Sequence, residues 1–160
     1  MIDQKKLSQC AELILRTKLT IAVAESCTSG LIQNMFSQAE DAMSFFQGGI
    51  TAYNAGQKAK QLNVNPVHAE QCNSVSKEIS QKMAFEVAKV FNSELGLAIT
   101  GYARPVPDEG IEDCFAYISL IHGADILFSK RIKGDPKKHL TENQYIFVNK
   151  ILGEIIKSLK

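Results

Sequence analysis

Ser26 lies in Glu25-Ser26-Cys27-Thr28-Ser29-Gly30, between the apolar run Leu19-Thr20-Ile21-Ala22-Val23-Ala24 and a helical stretch through Leu31, Ile32, Met35 and Phe36. A hydroxyl in a strand-to-helix turn sits near the backbone N–H groups of a helix N-terminus. Such donors hold a phosphate, or an oxyanion formed during acyl transfer. The same residue types also close helix starts, so Ser26, Thr28 and Ser29 read equally as caps. As a nucleophile, Ser26 requires a base. His68, His122 and His139 fall in a loop, a hairpin turn and a helix start, and none follows a strand ending beside Ser26, which argues against a Ser-His-Asp triad. A lysine serves instead when burial lowers its pKa from about 10.4 toward neutrality. Lys58 comes about one helical turn after Tyr53 and can turn back toward the same rim. Taken alone, Lys58 reads first as a solvated helix lysine like Lys60. Tyr53 is either a proton relay or a ring that covers a core edge.

These residues need elements to position them. Leu7, Cys10, Ala11 and Ile14 recur at helical spacing, which predicts a helix over about Asp3 to Thr17 with Asp3 as N-cap. The Leu19–Ala24 run is apolar throughout, as expected of a strand buried on both faces. A second strand is expected over Gly48–Tyr53, followed by a helix over Ala55–Leu62 that ends near Asn65-Pro66. Ser76 reads as the N-cap of a long helix carrying Ile79, Met83, Val87, Val90 and Phe91. A third strand, Leu95–Thr100, ends at Gly101. After the Pro- and acid-rich segment Ala103–Asp113 come two hairpin arms, Cys114–Ile121 and Ile126–Ile132, turning at His122–Asp125. Gly134-Asp135-Pro136 reads as a helix start, and Val148, Ile151, Leu152, Ile155, Ile156 and Leu159 form one face of a last helix. The expected architecture is a three-layer α/β/α sandwich with a mixed, mostly parallel sheet, forming a single domain over residues 1–160. Ligands of such sheets bind beyond the carboxyl ends of the strands. The three best strands end at Glu25-Ser26, Tyr53-Asn54 and Thr100-Gly101, so parallel strands would bring these residues to one rim.

Composition narrows the partners. A net charge of +1 on 160 residues, with no basic run longer than Lys130-Arg131, argues against nucleic acid or an anionic membrane surface. Cys10, Cys27, Cys72 and Cys114 show no C-x-x-C pair and no histidine at ligand spacing, so neither a structural zinc site nor a disulfide framework is expected. With no signal peptide and no apolar run of membrane length, the expectation is a cytoplasmic protein. Because the chain begins at Met1, it is expected to stand alone.

Ala24-Glu25-Ser26-Cys27-Thr28-Ser29-Gly30 resembles the A-E-S-C-T-G-G signature of the CinA C-terminal domain family. Further pieces follow in order. Gly49 through Tyr53 and Lys58 resemble that family's G-x-x-x-Y-x-x-x-x-K. Asn63-Val64 matches its G-V and Val75-Ser76 its V-S. Ala98-Ile99-Thr100-Gly101 with Ala103 and Pro105 is similar to A-V-T-G-I-A-G-P, and Gly134-Asp135 to the G-D near the last helix. The resemblance spans about Thr20 to the last helix.

It implies an amidohydrolase that converts nicotinamide mononucleotide and water to nicotinate mononucleotide and ammonia, through an acyl-enzyme and without metal or cofactor. Position by position, Ser26 would be the nucleophile, Lys58 its base and Tyr53 an aid to proton transfer. Cys27, Thr28, Ser29 and Gly30 would contact the substrate, with backbone amides near Thr28–Gly30 forming the oxyanion hole. Thr100 and Gly101 would also contact the substrate. A homo-oligomer is implied too, and the apolar face of the last helix serves either an interface or, as a single stripe more often does, the sheet.

The chain departs from the family pattern at several places. Ser29 replaces a glycine, which is tolerable where the backbone does not need φ > 0. Asp41-Ala42-Met43 replaces G-S-S, and Arg104-Pro105-Val106-Pro107-Asp108 replaces the glycine-rich G-P-G-G loop. Leu140 stands where an arginine is expected, and loss of a bidentate arginine weakens phosphate capture. Arg104, Lys137 and Lys138 are the cations left to compensate. The alternative is therefore a catalytically impaired CinA-like paralogue, acting as a binding module or on a different small amide.

Overall fold

The computed structural model describes residues 1–160. Its centre is β1 (Ile21–Glu25), five residues without a polar face, all of them buried. This is what an apolar run without alternation produces when helices cover both faces of a sheet. β1 lies between β2 (Phe46–Thr51) and β3 (Leu95–Tyr102), parallel to both, with Ala24 opposite Ile50 on one side and Ala98 on the other. Antiparallel β4 (Phe115–His122) and β5 (Asp125–Lys133) complete the order β2-β1-β3-β4-β5. Only β4 runs against the rest, so the sheet is mixed and mostly parallel.

Helices fill two layers. On one face lie α1 (Gln4–Thr17), α2 (Leu31–Ser37) and α6 (Leu140–Leu159), which contact one another over the larger core. On the other, α5 (Lys77–Phe91) packs on β1, β3 and β4, joined by α3 (Ala55–Leu62) and α4 (Pro66–Gln71). α5 approaches the sheet through Gly96 of β3, where a Cβ would stand 2.1 Å from the Ala84 carbonyl oxygen. Phe147, Val148, Ile151, Leu152 and Ile155 of α6 are buried in the chain's own core, so that stripe covers the sheet.

Caps fix the helix ends. The Asp3 carboxylate accepts from Lys6 N at 3.0 Å, and Ser76 Oγ from Ile79 N at 3.1 Å, as those residue types predict. Asn54 Oδ1 accepts from Gln57 N at 2.9 Å, which starts α3 just after β2 and fixes where Lys58 falls.

Three boundaries differ from expectation. β2 runs from Phe46 to Thr51, so Tyr53 lies past the strand. α4 was expected to be a loop: α3 already stops at Leu62, capped by left-handed Asn63, and Pro66 occupies the first turn of a new helix that Asn65 Oδ1 caps through Val67 N at 2.9 Å. His68 is therefore helical. Gly134-Asp135-Pro136 does not open α6. The buried Asn143 side chain takes Asp135 N at 2.7 Å and gives Nδ2 to Asp135 O at 2.9 Å, which holds that segment as a turn. The helix begins only at Leu140, where the Glu142 carboxylate accepts from His139 N at 2.8 Å.

Candidate active site

Because β1, β2 and β3 are parallel, their carboxyl ends open on one side of the sheet, and a cavity of about 330 Å³ lies there. Ser26, Cys27, Tyr53, Lys58 and Gly101 line it. Ser26 is 4% exposed and Lys58 only 3%, whereas Tyr53 at the rim is 58% exposed. None of the three histidines reaches the cavity. His68 Nε2 instead lies 3.3 Å from Ser76 Oγ, and His122 ends β4 beside Leu95 at the amino end of β3, the opposite end of the strands.

Burial of Lys58 has a chemical consequence. Desolvation lowers its pKa from 10.5 to about 8, and the nearby Cys27 and Cys72 thiols only partly oppose this. Lys58 takes part in none of the ion pairs of the chain. A minor fraction of the amine, far larger than for a solvated lysine, is therefore neutral near physiological pH, the state a general base requires. The thiol beside it behaves oppositely. Burial pushes Cys27 up to about 12, against the pull of Lys58, so its sulfur stays protonated and is not a nucleophile. Ser26 and Lys58 share the wall without a direct hydrogen bond between hydroxyl and amine; such contacts commonly tighten only in a substrate complex.

The turn after Ser26 is organised by a residue that the sequence reading passed over. The fully buried Glu25 carboxylate accepts Thr28 Oγ1 at 2.6 Å and Ile32 N at 2.9 Å on Oε1, and Gln33 N at 2.9 Å on Oε2. The anion at the N-terminus of α2 is thus the chain's own. Ser29 N and Leu31 N are used as well, by Ser26 O and Thr28 O, while the Cys27 and Thr28 amides have no carbonyl partner. A carboxylate immediately ahead of a helix start was the sequence signal for this cap.

Thr28 is buried behind the cavity wall, and the exposed Ser29 and half-buried Gly30 do not line it either. Gly30 caps α2 at φ +95°, and Ser29 is also left-handed at φ +48°, so the position that lacks glycine does require positive φ. Thr100, likewise fully buried, gives its hydroxyl to Ser74 O at 2.6 Å and only supports the wall. Gln144 Nε2 donates to Cys27 O at 2.9 Å, so α6 braces the signature turn from below.

The remaining wall comes from the α4–α5 joint and from the segments where the chain departs from the family pattern. Asn73 and Ser74, both left-handed, join α4 to α5, and Tyr102, Arg104, Glu109 and Leu140 close the far side. Leu140, where an arginine was expected, adds an apolar surface. No group of histidine, cysteine, aspartate and glutamate side chains is arranged to hold a metal ion. All four cysteines are free, and no helix is long and apolar enough to cross a membrane.

Comparison with known proteins bears on the family and the fold. A competence-damage inducible protein of Desulforamulus reducens is 34% identical over 137 residues, covering 84% of this chain and 33% of that protein. A CinA-like protein of Syntrophomonas wolfei is 38% identical over 120 residues, 73% of this chain and 28% of its own length. The chain thus spans about a third or less of the curated relatives it matches. The crystal structure of a CinA superfamily protein from Enterobacter cloacae superposes with a TM-score of 0.91 at 20% identity, covering 100% of this chain and 94% of that one. That of CihA, a competence/damage inducible protein from Agrobacterium tumefaciens, gives 0.85 at 17% identity, covering 100% and 99%. The CinA C-terminal domain model matches residues 3–147, and by that match, on this fold, the chain belongs to the CinA C-terminal domain family.

Proposed function

We propose that this chain is an amidohydrolase acting on the carboxamide of nicotinamide mononucleotide by a Ser-Lys mechanism. One observation carries the reading: a lysine 3% exposed, its pKa lowered to about 8, shares a histidine-free cavity with a serine at the convergent ends of parallel strands. Neutral Lys58 accepts the proton of Ser26 as Oγ attacks the carboxamide carbon. The amide of Cys27, which lines the cavity and lacks a carbonyl partner, is the donor available to the oxyanion. Lys58 then protonates the departing nitrogen, and ammonia leaves an ester on Ser26. Water, deprotonated by the same amine, hydrolyses that ester to the carboxylate and restores the hydroxyl. Tyr53 stands at the rim, where its hydroxyl can hold the carboxamide or pass a proton.

Ammonia release from nicotinamide mononucleotide tests this. Activity is expected in the parent protein and not in Ser26→Ala, and the rate should rise with pH through about 8 as Lys58 loses its proton. Equal release by both proteins, or none by either, refutes the assignment.

A further inference from the structure

Two charges in the cavity are left without counter-ions. Arg104 and Glu109 both line it, on the same loop, and neither takes part in an ion pair. The loop is held in place. Val106 N donates to Ile111 O at 2.8 Å and Ile111 N to Val106 O at 3.1 Å, closing a small hairpin, while Pro105 and Pro107 restrict its backbone. Glu109 is also oriented. Its Oε2 accepts from Asn73 Nδ2, which donates to Tyr102 Oη at 2.8 Å as well, and no bond engages Oε1. Asn73 and Ser74 hold left-handed backbone at φ +51° and +61° to deliver that amide, and Thr100 anchors them through Ser74 O. Non-glycine residues adopt this conformation only where the surroundings impose it.

We propose that this loop is the recognition element for the ribosyl phosphate end of the substrate. The Arg104 guanidinium takes the phosphate in place of the arginine absent at Leu140, and the free oxygen of Glu109 accepts the sugar hydroxyls. A guanidinium matches phosphate oxygens in a fork, and a carboxylate accepts from ribose hydroxyls. A carboxylate and a guanidinium lining one cavity suit a ligand that presents both hydroxyls and an anion. The assignment rests on the pyridine-nucleotide reading of the site, but it is tested by binding rather than by turnover.

The measurement is calorimetric titration of the Ser26→Ala protein, which holds ligand without consuming it, with nicotinamide mononucleotide, nicotinamide riboside and 1-methylnicotinamide. The last keeps the ring charge but lacks the sugar. Adding Arg104→Gln should weaken the nucleotide by about tenfold or more and leave the riboside unchanged, with Arg104→Lys recovering part of the loss. Adding Glu109→Gln should weaken nucleotide and riboside alike by about tenfold and leave 1-methylnicotinamide unchanged. Both positions are exposed, and an unchanged melting temperature verifies that each variant folds. Equal weakening of all three ligands, no weakening, or failure of the parent to bind the nucleotide overturns the assignment. The predicted pattern without ammonia release by the parent would retain it and refute the deamidation reading. Ammonia release with no effect of either loop variant would do the reverse.

Discussion

Lys58 shows how the sequence of a residue and its chemistry come apart. On α3 it is one of two lysines, and only its place in the folded chain, near Cys27 and Cys72, leaves it 3% exposed and lowers its pKa from 10.5 to about 8. The sign of the stability effect follows from linkage. Below about pH 8 both folded and unfolded chains carry the proton, and the folded one bears the desolvation cost. Between about 8 and 10.5 only the unfolded chain is protonated, so stability rises with pH across that window. Lys58→Met removes the buried charge. It should abolish turnover yet stabilise the protein at pH 7, on the order of 2–3 kcal/mol. Urea unfolding at pH 7 and pH 10 should show the advantage shrinking as pH rises; a variant less stable than the parent at pH 7 would contradict the account. Ser29 carries strain at the neighbouring turn, where left-handed backbone costs a non-glycine residue about 1–2 kcal/mol.

The signature turn depends on α2 as an element. With seven residues, α2 cannot sustain itself by propensity and is secured at its N-terminus by Glu25. Charge-assisted bonds of this kind contribute more than neutral ones, about 1.5–3 kcal/mol each. Glu25→Gln is nearly isosteric but removes the charge and turns an NH2 toward donors. We expect a loss of about 2 kcal/mol or more in chemical denaturation, with lower activity because Ser26 and Cys27 are the residues next to that cap. Stability unchanged by the substitution would show that the carboxylate is not what holds α2. α6 supports the same turn from the other side, through Gln144 on the Cys27 carbonyl.

Over the whole molecule, the site exists because three parallel strands end together while α5 lies close against β3. That closeness requires Gly96, where a Cβ would meet the Ala84 carbonyl oxygen at 2.1 Å. Gly96→Val should force α5 off the sheet and lower stability by about 3 kcal/mol, seen as a depressed melting temperature. A melting temperature equal to the parent's would mean the two layers are not packed as described. Cys27 and Ala103 belong both to the larger core and to the cavity wall. The rest of the wall comes mostly from connections and element ends: the turn after β1, the start of α3, the α4–α5 joint, the end of β3 with the loop after it, and the first residue of α6.

Much of this was legible in the chain because it depends on neighbours in sequence. The unbroken apolar run of β1, the period of α1, α5 and α6, and the caps Asp3 and Ser76 follow from local sterics and hydrogen bonding. The strand ends that bring Ser26, Tyr53, Lys58 and Gly101 to one rim follow from that alternation of elements. What stayed illegible depends on residues far apart in the chain. Asn143 reaches back to Asp135 and delays α6, so the glycine, aspartate and proline that locally signal a helix start form a turn. Asn73 meets Glu109 and Tyr102 only in the folded state. Thr28 falls behind the wall because the buried Glu25 carboxylate takes its hydroxyl. Secondary structure is set over a few residues of chain. Burial, the desolvation of Lys58 and the partners of each polar group are set by which distant surfaces pack together, and only the tertiary structure decides those.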